Sequence, residues 1–200
     1  MTQRETPQVN GVRHVGLSAR DLAALAEVYG EVLGPQMVPV DTSALGATAF
    51  LSSRPAEAPV DLALFANPAY QHTAFEVRSL GDLRALHQRV LGRGVPVKMA
   101  LNHGVSLSFY FDDPEGHLIE VYWPTGVACR PCHGDPINLT LSEEALRTHM
   151  AELAIHSVAP WRERCDPAGY QRRKILASPA RVVSKPRPIA DHASPNYAYS

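Results

Sequence analysis

The chain carries the stretch HVGLSARDLAALAEVYGEVLG at residues 14–34 and a second version of it, HTAFEVRSLGDLRALHQRVLG, at residues 72–92. Aligned without a gap at an offset of 58, the two stretches agree at seven positions. Background composition would give only about one or two identities over this length. The first shared position pairs His14 with His72. An internal repeat is therefore the main organising feature of the sequence.

Each copy of the repeat predicts one strand, one helix and three further strands. Asp21 and Ser79 stand where a helix N-cap is expected, before apolar residues at helical spacing. Short alternating apolar runs then predict the strands, at residues 36–41, 47–52 and 60–66 in the first copy and 95–101, 105–111 and 117–123 in the second. We expect an α+β fold in which two βαβββ modules form one curved mixed sheet around a metal cavity. These modules span about residues 12–66 and 71–123 of a domain at residues 1–125.

Two histidines and one carboxylate are the candidate metal ligands. Repeats related by a pseudo-two-fold axis place equivalent residues around one cavity, so His14 and His72 are expected to face each other. Glu120 lies in an otherwise apolar strand, where a buried carboxylate is costly unless it is paired or binds a metal. Taken singly, each residue has a simpler explanation in an ordinary hydrogen bond or ion pair. Together they form the ligand set that holds Fe(II) or a similar ion and leaves positions open.

Residues 12–123 resemble the vicinal oxygen chelate superfamily, which includes glyoxalase I, bleomycin-resistance proteins and type I extradiol dioxygenases. The most specific stretch is HGVSLSFYFDDPEGHLIE at residues 103–120, which is similar to the extradiol signature. Leu101 departs from that signature, which prefers a small, β-branched or polar residue at this position. The resemblance implies that His14, His72 and Glu120 bind Fe(II), or occasionally Mn(II) or another divalent metal.

The same resemblance implies a reaction. A catechol would bind the metal through its two vicinal oxygens, and O2 would cleave the ring beside the diol. His103 and Tyr110 would hydrogen-bond the bound diol and act as the catalytic residues. The residue pattern agrees for Tyr110, which alternation places on one polar face of a strand with Ser106 and Ser108.

One departure concerns the acid–base histidine that extradiol enzymes carry before an Asp-x-Ala-Leu-Phe-like run. The run here is DLALF from Asp61, and Val60 precedes it, so His103 or a tail residue would have to replace the usual proton carrier. We expect Val60, Leu62 and Leu64 to face the cavity. If the register is shifted by one residue, Asp61 turns inward as a fourth ligand, as in glyoxalase-type isomerases. The expected substrate-pocket residues are Val60, Leu62 and Tyr122.

The sequence thus favours an Fe(II)-dependent extradiol dioxygenase acting on a small aromatic diol with O2. A metal-dependent isomerase or lyase is the first alternative, and Asp61 as a ligand would distinguish it. A non-catalytic protein that sequesters a ligand is the second alternative, and its metal content would distinguish it.

Composition excludes several other classes. The 200 residues are 45% hydrophobic and 20% charged, which is ordinary for a globular chain. The net charge of −1 provides no overall positive charge that would attract nucleic acid or an anionic membrane. No apolar run approaches the roughly 18 residues that span a bilayer. Three cysteines do not make a disulfide framework, and the start, MTQRETPQVNG, lacks the apolar core of a secretory signal. We expect a cytoplasmic homo-oligomer, a dimer or larger, with no nucleic-acid or membrane partner.

The C-terminal extension, residues 126–200, lies outside the repeat. Cys129, Cys132 and His133 spell a haem-attachment pattern, but a pair of reduced loop cysteines is the simpler interpretation. Thr140 and Glu143 form a capping box that predicts a helix at about residues 141–155. Residues 157–200 hold eight Lys or Arg, three Asp or Glu and six prolines, which predicts a basic, proline-rich tail without a core of its own.

Overall fold

The computed structural model describes residues 7–38, 45–55, 60–126 and 134–156. The first module contains β1 (Val9–Ser18), α1 (Leu22–Leu33), β2 (Gln36–Met37), β3 (Thr48–Ser52) and β4 (Leu62–Phe65). The second contains β5 (His72–Val77), α2 (Leu80–Gly92), β6 (Val97–Asn102), β7 (Ser106–Asp112) and β8 (Leu118–Pro124). A short strand β9 (Asp135–Pro136) and helix α3 (Glu143–His156) follow.

The strands form one open sheet in the order β2-β3-β4-β1-β5-β8-β7-β6-β9. At its centre β1 and β5 pair antiparallel, and each of them pairs parallel with the last strand of its own module, β4 or β8. The two modules are thus arranged symmetrically about the β1–β5 pair. This arrangement confirms the predicted α+β fold of two βαβββ modules.

Both helices begin at the predicted caps and cover the same face of the sheet. The Asp21 carboxylate accepts a hydrogen bond from the backbone N–H of Ala24, and the Ser79 hydroxyl accepts one from that of Asp82. The side chains beneath α2 form a core of Leu80, Leu83, Leu107, Phe109 and Val121. Glu120 and Tyr110 alternate with these core residues, so their side chains belong to the opposite face, which the two helices leave open.

Strand β4 has the opposite facing to the one predicted. Leu62 and Leu64 lie beside Val15 and Leu17 of β1 and pack against α1, so the expectation that they face the cavity is wrong. The physical reason is that α1 needs an apolar surface beneath it, and these two leucines provide it. Val60 precedes the strand and packs with Phe50, Ala63 and Phe65 on the other face.

Other differences lie at the helix ends. Helix α3 begins at Glu143 because the Ser142 hydroxyl caps it by accepting a hydrogen bond from the backbone N–H of Ala145. The Thr140 hydroxyl instead donates to the Asn138 side chain.

In the described part of the chain, no helix has the length and apolar character needed to cross a membrane. The predictions for Cys129, Cys132, His133 and residues 157–200 fall outside the described residues.

Candidate metal centre

Three neighbouring central strands position the candidate ligands. In the pairing of the sheet, His14 on β1 lies opposite Ala74 on β5, and Ala74 lies beside Glu120 on β8. His72 lies two residues before Ala74, so its side chain shares their face of the sheet. The repeat therefore brings one histidine from each module to the same place, and β8 adds the carboxylate.

The three side chains converge closely. Nε2 of His14 and Nε2 of His72 lie 3.1 Å apart, and each is 3.2 Å from Oε2 of Glu120. Glu120 is 3% exposed. Among the residues that the structure describes, His14, His72 and Glu120 form the one group of three or more His, Cys, Asp or Glu side chains that could hold a metal ion. Their ligand atoms all lie within 4.8 Å of one another.

The imidazole of His72 is held in the tautomer that a metal ligand needs. Its Nδ1–H donates a hydrogen bond to the carbonyl oxygen of Tyr70 at 2.7 Å, so in the neutral imidazole the lone pair is on Nε2, which is directed at His14 and Glu120. A single 3-10 turn, Pro68–Tyr70, presents this carbonyl, and the Asn67 side chain caps the turn. Sequence reasoning missed this contact, although the Asn-Pro pair is a turn signal.

Gly16 provides the space in which the His72 ring lies. A Cβ atom on Gly16 would come within 2.6 Å of Nδ1 and 2.7 Å of Cε1 of His72, and within 3.0 Å of the Phe65 ring. Nothing in the sequence marks this glycine, because it lies inside a strand rather than in a turn.

The electrostatics of the cluster favour a cation. Burial raises the pKa of the Glu120 carboxyl, but its contacts with His14 and His72 outweigh that effect and hold the pKa well below its usual range. Burial lowers the pKa of His72, yet its contact with Glu120 outweighs burial and raises the pKa. The Glu120 carboxyl is therefore ionised. Two imidazole nitrogens and one buried carboxylate fit a divalent metal of the first transition series.

Tyr110 and His103 extend the site toward β7. Tyr110 lies opposite Glu120 in the β7–β8 pairing, and its hydroxyl donates to Oε1 of Glu120 at 2.8 Å. Nε2 of His103 lies 3.0 Å from the same hydroxyl. The structure thus joins both predicted catalytic residues to the candidate ligands by a continuous chain of hydrogen bonds. Ser108 faces the same way as Tyr110, as the alternation predicted.

A polar cluster that sequence reasoning missed lies beside Tyr122. The Tyr122 ring is 5.4 Å from that of His14, and its hydroxyl donates to Glu76 at 3.3 Å. Burial, and then the negative charge of Glu76, raise the pKa of the Tyr122 phenol, so it remains a donor. The Asn10 amide donates to Glu76 at 2.9 Å, and Nε of Arg13 lies 3.6 Å from it. We call Asn10, Arg13, Glu76 and Tyr122 the Glu76 cluster.

Asp61, which directly precedes β4, lies on the face of the sheet that carries the candidate ligands. We call this the metal-bearing face. Asp61 does not join the ligands. Alternation places it opposite to Leu62, and its carboxylate accepts hydrogen bonds from the backbone N–H and the hydroxyl of Ser53. Burial raises the pKa of Asp61, but the bonds from Ser53 outweigh burial and lower it. Of the predicted pocket residues, Tyr122 lies beside His14, Val60 lies on the metal-bearing side of β4, and Leu62 lies on the helix side.

Comparison with known proteins identifies the family. The model of the Glyoxalase/Bleomycin resistance protein/Dioxygenase superfamily matches residues 11–121, which include the three candidate ligands. The chain belongs to this superfamily.

The proteins with which the chain aligns include enzymes of two kinds. Biphenyl-2,3-diol 1,2-dioxygenase 3 of Rhodococcus globerulus is 29% identical over 120 residues, covering 54% of this chain and 60% of that protein. The Mn(II)-bound glyoxalase from Novosphingobium aromaticivorans has a TM-score of 0.50 at 24% identity, covering 66% of this chain and 44% of that one. A catechol 2,3-dioxygenase has a TM-score of 0.50 at 22% identity, covering 66% and 48%. The two structures establish a shared fold, and the alignment with the Rhodococcus globerulus dioxygenase 3 spans 60% of its length.

Proposed function

We propose that the protein is an Fe(II)-dependent extradiol dioxygenase that cleaves a catecholic ring with O2. One observation carries the proposal: Glu120, a candidate ligand, is hydrogen-bonded to Tyr110, and Tyr110 to His103. A site that only sequestered a ligand would not need a chain of proton-bearing groups ending at the metal. The sequence similarity to a biphenyl-2,3-diol dioxygenase supports the same reaction class.

His14, His72 and Glu120 would hold the metal, leaving positions open on the side away from the sheet. The metal would supply Lewis acidity toward the two vicinal oxygens of a catechol and a binding position for O2. The protein's own residues would orient the substrate and handle its protons. Tyr110 and His103, which are hydrogen-bonded to each other, would donate to, or accept from, a diol oxygen.

On the β4 side of the site Asp61 is a titratable group, but its carboxylate is ionised and accepts hydrogen bonds from Ser53. Val60, Phe50 and Phe65 form an apolar surface there, and the Phe65 ring lies 5.9 Å from that of His72. His103 is therefore the group best placed to act as the acid–base residue of the oxygen step. We further propose that the protein is cytoplasmic and acts as a homo-oligomer.

The proposal is tested on protein loaded anaerobically with Fe(II) and mixed with a panel of catechols. On admission of oxygen, a yellow ring-cleavage product should form with one O2 consumed per diol. Zn(II)-loaded protein is the control, because Zn(II) has no redox chemistry. Absence of product and of oxygen uptake across the panel, with the iron retained, would contradict the proposal.

A metal-dependent isomerase or lyase is the second candidate, and Asp61 favours it. This carboxylate lies on the metal-bearing face, where a glyoxalase-type enzyme would use a fourth ligand. The Ser53 hydrogen bonds would have to break before Asp61 could bind the metal. Metal titration of Asp61→Asn decides between the two: reduced affinity favours the isomerase, and unchanged affinity favours the dioxygenase.

A further inference from the structure

We propose that Arg13 selects the substrate, by binding a carboxylate carried on the ring of the diol. The inference rests on the proposed function, since it assumes that a diol binds at the metal. It names a substrate class that the metal ligands alone do not specify: catechols with an anionic substituent.

A β-bulge places Arg13 on the metal-bearing face. In the β1–β5 pairing Val12 lies opposite Phe75 and His14 opposite Ala74, so Arg13 has no partner on β5. In a regular strand the residue before His14 would point to the helix side. The bulge instead lets the Arg13 side chain reach Glu76, and bulges beside active sites commonly redirect a side chain in this way.

A second bulge in the same strand has the same consequence. Val9 lies opposite Val77 and Gly11 opposite Glu76, so Asn10 is also unpaired on β5. Gly11 has a φ of 106°, a conformation that glycine adopts readily. The Asn10 amide then donates to Oε1 of Glu76 at 2.9 Å. Both irregularities of β1 therefore bring hydrogen-bond donors to one carboxylate.

Within the Glu76 cluster, both oxygens of the carboxylate have hydrogen-bond donors, whereas the guanidinium meets the carboxylate through Nε. Oε1 of Glu76 accepts from Asn10, and Oε2 accepts from Tyr122 and lies 3.6 Å from Nε of Arg13. Among the described residues, Arg13 pairs with Glu76, and the contact uses Nε. The Arg13 side chain is 47% exposed, so its two terminal amino groups can reach a ligand. Guanidinium groups bind carboxylates through such paired donors.

The cluster lies at a suitable distance from the metal ligands. Tyr122 and Glu76 are each two residues beyond the row formed by His14, Ala74 and Glu120. Strands advance about 3.3 Å per residue, so the cluster begins about 7 Å along the sheet from that row. A catechol held by its diol can span this gap with a substituent on the far side of its ring. A cationic substituent would meet the positive charge of the exposed Arg13 guanidinium and be repelled by it.

The test compares 3,4-dihydroxybenzoate with 4-methylcatechol, which carries a neutral group at the same ring position. Dissociation constants are measured anaerobically on Fe(II)-loaded protein from the ultraviolet change that accompanies diol ionisation. The wild-type protein should bind the carboxylated diol more tightly. Arg13→Gln should reduce this preference by about 10-fold, the lower end for loss of a hydrogen bond to a charged group.

Three further variants sharpen the test. Arg13→Lys should keep part of the preference, because it keeps the charge without the paired donors. Glu76→Gln should increase the preference, because it removes the negative charge beside the guanidinium. Arg20→Gln is the matched control, since Arg20 is exposed two residues beyond the C-terminal end of β1 and its loss should leave the ratio of dissociation constants unchanged.

The outcomes separate this inference from the proposed function. Equal preference in wild type and Arg13→Gln, with both diols binding, overturns the role of Arg13 and leaves the dioxygenase standing. Tighter binding of 4-methylcatechol by the wild type does the same. Failure of both diols to bind the metal-loaded protein overturns the proposed function and the inference with it. Should Arg13→Gln not fold, a preference that is unchanged in both Arg13→Lys and Glu76→Gln overturns the inference.

Discussion

Gly16 and His72 compete for the same space: a Cβ atom on Gly16 would lie 2.6 Å from Nδ1 of His72. That nitrogen is the one that donates to the Tyr70 carbonyl and so leaves Nε2 free for a metal. The strand that supplies one histidine thus also leaves room for the other. Gly16 is a positioning residue for the candidate metal centre.

Gly16→Ala should therefore weaken metal binding. The added methyl group displaces the His72 ring and disturbs its bond to Tyr70, and loss of such supporting contacts typically costs about 10–100-fold in metal affinity. Titration with Mn(II), followed by its electron paramagnetic resonance signal, measures the affinity. Gly30→Ala is the control, because Gly30 lies in the interior of α1 and its Cβ would meet Pro35 at an ordinary 3.5 Å. Equal affinities for both variants would show that the His72 ring can move aside without consequence.

Removal of any one ligand should have a larger effect. His14→Ala, His72→Ala and Glu120→Ala should each lower divalent metal content sharply while the protein stays folded, because each removes one of three converging atoms. Elemental analysis after dialysis measures the content, and circular dichroism checks the fold. A variant that keeps full metal occupancy would remove its residue from the site.

The repeat explains why so much of this site could be predicted. His14 and His72 are equivalent positions of two modules, so a symmetric pairing of β1 with β5 brings them together without further information. Glu120 could be predicted because a lone carboxylate interrupts an apolar strand. Tyr110 followed from alternation along β7 and from the resemblance to the extradiol signature.

The facing of β4 could not be read from its sequence. Leu62 and Leu64 are apolar, and so are Ala63 and Phe65, so the period-two pattern is the same for either orientation. Only the packing against α1 decides between them.

The bulges of β1 escaped prediction for a different reason. They depend on how ten residues of β1 pair with six residues of β5, which is a property of two strands and not of either one. The placement of Arg13, and with it the whole Glu76 cluster, therefore required the structure.

Tyr110→Phe and His103→Ala should keep the metal and slow turnover. Neither residue is a candidate ligand, yet the two are linked to Glu120 through the Tyr110 hydroxyl. Acid–base and hydrogen-bonding groups of this kind contribute about 10²–10⁴-fold to rate. Single-turnover oxygen uptake on metal-matched samples measures the effect. Rates equal to the wild type for both variants would remove the main support for the extradiol reaction.

His87 should make the folded protein sensitive to acid. Burial against Phe109 lowers the pKa of His87 below its ordinary 6.5, and its Nδ1 has no hydrogen-bond partner in the described part of the chain. The imidazole of His87 is therefore protonated more readily in the unfolded chain than in the folded one. Stability from His87 is thus fully present above pH 6.5 and falls as the pH drops below that value.

Urea unfolding of the metal-free protein at pH 7.5 and pH 5.5 measures this contribution. His87→Leu should lose less stability between the two pH values than the wild type does. His149→Leu is the control, because it removes an imidazole from α3 and leaves α2 unchanged. Equal losses for the wild type and His87→Leu would assign the acid sensitivity to other groups.

Val60→His should speed the oxygen-dependent step. Val60 packs with Phe65, whose ring contacts that of His72, so an imidazole at position 60 would add a proton carrier to an apolar wall of the site. The gain should reach about 10²-fold, the lower end for general acid–base catalysis. The larger side chain costs about 1–3 kcal/mol in packing, so Val60→Leu serves as a control that changes shape without adding a proton carrier.

Single-turnover product formation with a simple catechol is the measurement. Suppose that Val60→His folds and keeps its iron, and that its oxygen-dependent step is no faster than that of Val60→Leu. Then a side chain at position 60 does not reach the position where O2 would bind. Asp61 would then be the residue of this segment nearest the metal, and the isomerase or lyase would become the better assignment.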